Sequence, residues 1–246
     1  MPYSKKLGTK LHKEINGKYG PVKFFLKDEY VGRSLYNYGE YGPDETDMIL
    51  SLASGTCLDI GANIGCISQA LLSAGHYVLA FEPQPAVYDV LDYNMRSVGG
   101  EYAAYNTAVG ATAGMAKMPK VYYSAKGNFG GLGIGATSMY GSYEVPVITI
   151  DSLFLHDVGF MKIDVEGYEY EVLVGAKETI ARCMPILYIE DDRSTKSFKL
   201  REYIRSLEYT IEEHKPTLYR EENFFGLKKN IWDRNFASHN LICRPA

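Results

Sequence analysis

A doubly wound α/β fold is predicted, with a mostly parallel sheet that ends in an antiparallel C-terminal strand. Three features of the 246-residue sequence point to it. Short apolar runs alternate with segments of helical periodicity through the middle of the chain. One junction, "CLDIGANIGCISQALLSAG" at Cys57 to Gly75, reads as a buried strand, a glycine turn and an amphipathic helix with Ile64, Ile67 and Leu71 on one face. Acidic residues close several of the apolar runs, which puts carboxylates along one edge of such a sheet. The chain reads as a single domain, with a lead-in and cover segment over residues 1–45 and the main α/β unit over residues 46–246.

The elements follow in order. Lys5, Lys6, Lys10, Lys13 and Lys18 fall in an opening stretch with little that could form a core, so a solvated lead-in is expected there. Alternation from Val22 to Tyr38 predicts one or two strands, and a helix is expected from Pro43 to Ala53. After the glycine turn, "YVLAFEPQ" is a strand from Tyr77 to Phe81 closed by Glu82, and a helix follows from Pro85 with Val87, Val90, Leu91 and Met95 inward. "EYAAYNTAVG" reads as the next strand and its exit loop. Residues 110–145, rich in Gly, Ser and Tyr around "NFGGLGIGATS", read as a flexible loop or a place where backbone approaches a ligand. "VPVITIDSL" and "VGFMKIDVEG" are strands, the second running into an acidic loop. One helix is expected from Tyr168 to Ala181, then the strand "PILYIEDD", then a helix carrying Leu200, Tyr203, Ile204 and Leu207. "EYTIEEH" and "HNLICRP" are late strands joined by a long aromatic connection.

Composition narrows the class. Apolar content of 46% and charged content of 23% suit a globular chain with a full core. No apolar run is long enough to span a bilayer, and the start carries no signal segment. A net charge of −4 argues against broad binding to a nucleic acid backbone. Cys57, Cys66, Cys183 and Cys243 lack metal-ligand spacing and read as small buried hydrophobes, which suggests a cytoplasmic setting.

A strand, glycine turn and helix place free backbone N–H groups under a polar ligand, and both dinucleotides and S-adenosylmethionine use such a turn. The dinucleotide fingerprint needs G-x-G-x-x-G, but Asn63 holds the middle glycine position and the spacing is Gly61-x-x-x-Gly65. Asp59 would repel a pyrophosphate, yet it suits a methionine ammonium, directly or through water. Glu82 ends the next strand about 20 residues on, where ribose hydroxyls are bound in such folds. Taken singly, Asp59 reads as a partner of the helix N-terminus and Glu82 as an exposed strand end. Together they fit one zwitterionic, sulfonium-bearing ligand.

"LDIGANIG", "FEPQP" and "MKIDVEGYEYEVLVGA" closely resemble the FkbM-type family of S-adenosylmethionine-dependent methyltransferases, from about Cys57 to Glu190, with weaker echoes in "NYGEYGPDE" and "HNLICRP". The glycine turn alone marks class I methyltransferases broadly; the "KIDVEGYE" block is the specific part. The resemblance implies a Rossmann-like methyltransferase domain and O-methylation, commonly of sugar hydroxyls in glycans or natural products. It also implies cofactor contacts from Glu40, Asp59, Gly61, Ala62, Asn63, Gly65, Glu82, Pro83, Asn106, Ala108 and Asp164.

Methyl transfer from a sulfonium is an in-line displacement that depends mainly on alignment. A hydroxyl acceptor gains from a base, and the strand ends offer Asp164 first, then Glu166 and Glu190, with Lys162 orienting one of them and His239 as a further base to test. Glu166 reads equally as a helix-start acid. Asp164, Glu190, Asp191 and Asp192 could gather a divalent cation, although pairing of these acids with Arg193 is favoured and no metal is expected. Asn128 in the glycine stretch, and the aromatic segment from Tyr219 to Phe236, are expected to wall the acceptor side. DNA base methylation is disfavoured, since neither an Asp/Asn-Pro-Pro-aromatic turn nor a Pro-Cys nucleophile occurs. The expected activity is O-methyl transfer to a small-molecule or glycan hydroxyl. The alternatives are a non-catalytic S-adenosylmethionine- or glycan-binding module and, less favoured, a dinucleotide-dependent oxidoreductase. The sequence leaves the oligomeric state open.

Overall fold

The structure is a computed structural model that describes residues 11–232 and 238–246. Lys5, Lys6 and Lys10, and the end of the aromatic segment at Phe236, lie outside the described residues.

The chain opens with a hairpin of β1 (His12–Gly17) and β2 (Gly20–Phe25), followed by α1 (Val31–Tyr38) and α2 (Pro43–Leu52). Then come β3 (Thr56–Ile60), α3 (Cys66–Ser73), β4 (Val78–Phe81), α4 (Pro85–Val98) and β5 (Tyr102–Tyr105). The glycine-rich region holds β6 (Ala108–Val109), β7 (Gly114–Pro119) and β8 (Ser142–Ile148). The second half runs β9 (Val158–Ile163), α5 (Glu169–Val174), α6 (Lys177–Cys183), β10 (Ile186–Glu190), α7 (Ser194–Ser206), β11 (Tyr209–His214) and β12 (Asn240–Pro245).

Seven strands form the central sheet in the order β11-β12-β10-β9-β3-β4-β5. The run from β10 to β5 is parallel, and β12 lies antiparallel between β10 and β11. This is the predicted α/β sheet with its antiparallel final strand. Both faces are covered, as a parallel sheet requires: Leu58, Ile60, Leu79, Phe81, Met161 and Ile163 fill one core, and Cys57, Val78, Ala80, Phe160 and Tyr188 fill the other. Strand order reverses between β3 and β9, so the crevice for a ligand opens there, beyond the carboxyl ends of the strands. The register sets Asp59 beside Lys162 and Glu190 beside Asn240.

Four departures from the sequence expectations have physical causes. Residues 31–38 are helical, not a strand, because the Asp28 carboxylate accepts the N–H groups of Tyr30 (2.8 Å) and Gly32 (3.1 Å) and starts α1. Val31, Leu35 and Tyr38 then face inward at helical spacing. Residues 12–17, expected as solvated lead-in, pair with β2, and Ile15 packs against the cluster beneath. The helix expected from Tyr168 splits into α5 and α6, where the Gly175 carbonyl accepts the N–H of Asp151 at 3.0 Å. The glycine-rich stretch contributes β7 to a small second sheet of order β6-β8-β7.

The four cysteines are free thiols. Among the described residues no helix is long and apolar enough to cross a membrane.

Candidate functional site

A cleft of about 270 Å³ opens at the carboxyl ends of β3, β4, β9 and β10. One wall is the glycine turn, where Gly61, Ala62 and Asn63 line the space. The N–H groups of Gly61 and Ala62 both bond the Phe81 carbonyl at 3.0 Å, which folds the turn over β4. Gly61 has φ +81°, and a Cβ there would lie 1.8 Å from the Asp164 carbonyl oxygen. Only glycine allows this approach. Gly65, expected to touch the ligand, begins α3 behind the lining residues.

Glu82 stands where the sequence places it. It is buried at the end of β4, where its carboxylate accepts N–H groups from Asn63 (3.1 Å) and Gln84 (2.8 Å) and still borders the cleft. Burial pushes its carboxyl up to about 7, against the pull of those two N–H groups. Pro83 and Ala108 line the cleft beside it. Asn106 does not; its amide instead donates to the carbonyls of Glu82 (2.9 Å) and Pro83 (3.1 Å) and shapes that corner from behind.

Asp59 is fully buried and does not line the cleft. Its carboxylate accepts the Ser68 hydroxyl at 2.6 Å and faces the Lys162 ammonium at 3.7 Å. Lys162 reaches on to Asp164 at 3.0 Å and borders the cleft. Burial alone would lower the Lys162 ammonium, but the carboxylates of Asp164, Asp59 and Glu45 outweigh it and hold the group raised.

Asp164, Glu166 and Glu190 converge, each with one carboxylate oxygen within 4.8 Å of the others. Burial, with Asp164 adjacent, pushes Glu166 up to about 7 while Arg193 pairs with it and pulls the other way. Burial and the charges of Asp164 and Glu166 push Glu190 to about 11, and its Oε2 is buried without a hydrogen-bond partner. The set expected to gather a cation divides differently. Asp191 turns away to Ser197 (2.7 Å) and Arg201 (2.7 Å), and Asp192 accepts the His239 N–H at 2.7 Å.

Two expected residues lie elsewhere. The His239 ring faces Glu213 at 3.3 Å and does not reach the cleft, because β12 carries it toward β11. Glu40 is buried against Lys18 (3.1 Å) and the Phe224 N–H (2.9 Å), where it pins the 220s segment to the lead-in. The aromatic segment packs on α1 around Tyr38, which accepts the Ile231 N–H and donates to the Lys229 carbonyl. Of its described part, no residue from Tyr219 to Trp232 lines the cleft, although Trp232 stacks on Tyr30, which does. The glycine stretch does form a wall, with Asn128, Gly130, Gly131, Leu132 and Ile134. A Cβ on Gly133 would lie 2.5 Å from the Glu166 carbonyl oxygen, so this stretch seats directly on the acidic loop. Glu45, Tyr41 and Asn240 also line the cleft and were not singled out by sequence. Glu45 closes the weak echo "NYGEYGPDE", but that stretch does not mark it as a ligand, and the fold of α2 ahead of β3 brings it to the cleft.

Residues 59–226 match the methyltransferase FkbM domain, which is more than half of the chain. No curated protein shows a significant sequence match. Among solved structures, the methyltransferase FkbM from Methylobacillus flagellatus KT superposes with a TM-score of 0.53 at 18% identity, over 87% of this chain and 55% of that one. This chain thus spans about half the length of that protein. The precorrin-6y C5,15-methyltransferase from Geobacter metallireducens GS-15 gives a TM-score of 0.52 at 11% identity, over 82% of this chain and 88% of that one. The tRNA (uracil-54, C5)-methyltransferase from Pyrococcus abyssi, in complex with S-adenosyl-L-homocysteine, gives 0.52 at 10% identity, over 98% and 46% respectively. At these identities the likeness is one of fold, the Rossmann-like fold of class I methyltransferases. With the domain match over residues 59–226, the chain belongs to the FkbM family of S-adenosylmethionine-dependent methyltransferases.

Proposed function

We propose that this protein transfers the methyl group of S-adenosylmethionine to a hydroxyl group of a sugar or glycan. The observation that carries the reading is the convergence of Asp164, Glu166 and Glu190 at the rim of the glycine-turn cleft. Carboxyl groups there accept hydrogen bonds from hydroxyls and can take a proton from one of them.

The residues present fit the cofactor. Gly61, Ala62 and Asn63 offer a close backbone cradle, Glu82 offers a buried acceptor for ribose hydroxyls, and Pro83 and Ala108 offer apolar walls. When bound, S-adenosylmethionine supplies an electrophilic methyl group. Asp164 receives the acceptor's proton, held in place by Lys162, and Asn128 orients the acceptor from the facing wall. Glu190, whose carboxyl is held well above the usual range by burial and its acidic neighbours, offers a further polar group to the acceptor. Two of the three carboxylates already have cationic partners, Lys162 and Arg193, so the proposal assigns no divalent metal.

The reading is tested by incubating the protein with methyl-labelled cofactor and a panel of mono- and oligosaccharides and small hydroxyl compounds, then locating the label by mass spectrometry. Label on a sugar oxygen is the expected result. Label on carbon or nitrogen overturns it, and cofactor binding without any transfer favours a binding module instead.

The role of Glu82 carries its own expectation. Glu82→Ala should weaken S-adenosylmethionine by about 1–3 kcal/mol, the range for hydrogen bonds to a charged group. Because burial raises this carboxyl to about 7 and ribose donors favour its ionised form, binding should release a proton and weaken as pH falls through that value. Glu82→Gln should flatten this limb. Isothermal titration at several pH values reads both effects, and unchanged affinity in a folded Glu82→Ala variant would remove Glu82 from the site.

A further inference from the structure

The methionine end of the cofactor carries an ammonium group, which a carboxylate inside the cleft would hold more strongly than a neutral acceptor. Asp59 does not line the cleft and is fully buried against Ser68 and Lys162. The other acids of the lining differ in what already occupies them. Glu82 takes two backbone N–H groups, Asp164 takes Lys162, Glu166 takes Arg193 and Asp192 takes the His239 N–H. Among the described residues this leaves Glu45 and Glu190 as lining carboxyl groups without a hydrogen-bond donor. Glu190 ends β10, on the far side of β9 from the glycine turn. Glu45 projects from the first turn of α2, the segment that leads directly into β3. It lines the same cleft as Gly61 and Ala62 of the glycine turn and Lys162 and Asp164 at the end of β9.

Resting on the cofactor assignment above, we propose that Glu45 is the carboxylate that binds the ammonium of the cofactor's methionine portion. It lies ahead of residues 59–226, the span that matches the family domain. Burial raises the Glu45 carboxyl to about 7 in spite of Lys162, with Asp164 adding to the rise. An incoming ammonium relieves that unfavourable setting, so the group gains a partner it lacks in the free protein.

The test is a binding measurement that needs no acceptor. Isothermal titration compares S-adenosylhomocysteine with its deaminated analogue, in which hydrogen replaces the ammonium. The wild-type protein is expected to prefer S-adenosylhomocysteine. Glu45→Gln should weaken that ligand by roughly tenfold to a hundredfold, the scale of a hydrogen bond to a charged group, while leaving the analogue unchanged. A thermal melt confirms folding, and Glu45→Asp should restore part of the preference. Equal losses for both ligands, no loss for either, or the same selective loss in Asp164→Asn but not in Glu45→Gln overturns the assignment. A wild-type protein that binds neither ligand overturns the cofactor reading along with it. Binding with an unaltered preference overturns Glu45 alone.

Discussion

Asp164→Asn should cut methyl transfer at saturating cofactor by ~10² or more, the scale for losing a positioned base. The substitution keeps the shape of the side chain and removes its charge. In the native site that carboxylate is 3.0 Å from the Lys162 ammonium, and its backbone N–H bonds the Ile60 carbonyl at 3.0 Å. The asparagine therefore stays anchored while the proton acceptor is gone. Steady-state kinetics separates the roles: a fall in kcat with little change in cofactor affinity marks the base. A raised cofactor dissociation constant with intact kcat would make Asp164 a binding group instead. If turnover and affinity are both unaltered, Asp164 has no place in the chemistry.

Gly61→Ala should abolish measurable cofactor binding and destabilise the fold. The positive φ at this position costs alanine about 1–2 kcal/mol. The added methyl also meets the Asp164 carbonyl oxygen at 1.8 Å, which β3 or β9 must move to relieve. Such overpacking costs about 1–3 kcal/mol more. The sum is a large share of the roughly 5–15 kcal/mol that holds a domain together. Urea unfolding followed by titration of S-adenosylmethionine reads both effects. A variant with native stability and affinity would show that the approach of the two strand ends is not what shapes the cradle.

The parts legible in the sequence are those whose signals are local. The order of β3, α3, β4 and α4 follows from apolar spacing and one glycine turn, and Glu82 from its distance beyond that turn. Asp164, Glu166 and Glu190 were readable as strand-end acids, and the structure brings all three together. What stayed hidden depends on tertiary geometry. Asp59 has the right place along β3, but the sheet register turns it to Lys162 and away from the cleft. His239 looked poised before the last strand, yet that strand faces it toward Glu213. The apolar residues of α1 also fit a short alternating pattern; the Asp28 carboxylate, by accepting the N–H groups of Tyr30 and Gly32, favours the helix, and that contact is visible only in three dimensions. Glu45 sits at the end of "NYGEYGPDE", where nothing local separates it from the neighbouring acids Glu40 and Asp44.

The placement of β12 has a consequence for how the chain reaches this shape. Its residues Asn240–Pro245 sit between β10 and β11, although some twenty-five residues separate them from the end of β11 at His214. Until they emerge from the ribosome, the edge of β10 at Ile186–Glu190 is an open ladder of unpaired backbone groups, and β11 has no strand to join. Non-local pairing of this kind slows folding, because the loop must close before its contacts reward it. The β10 edge beside Glu190 thus stays open in the nascent chain until β12 is made and pairs with it.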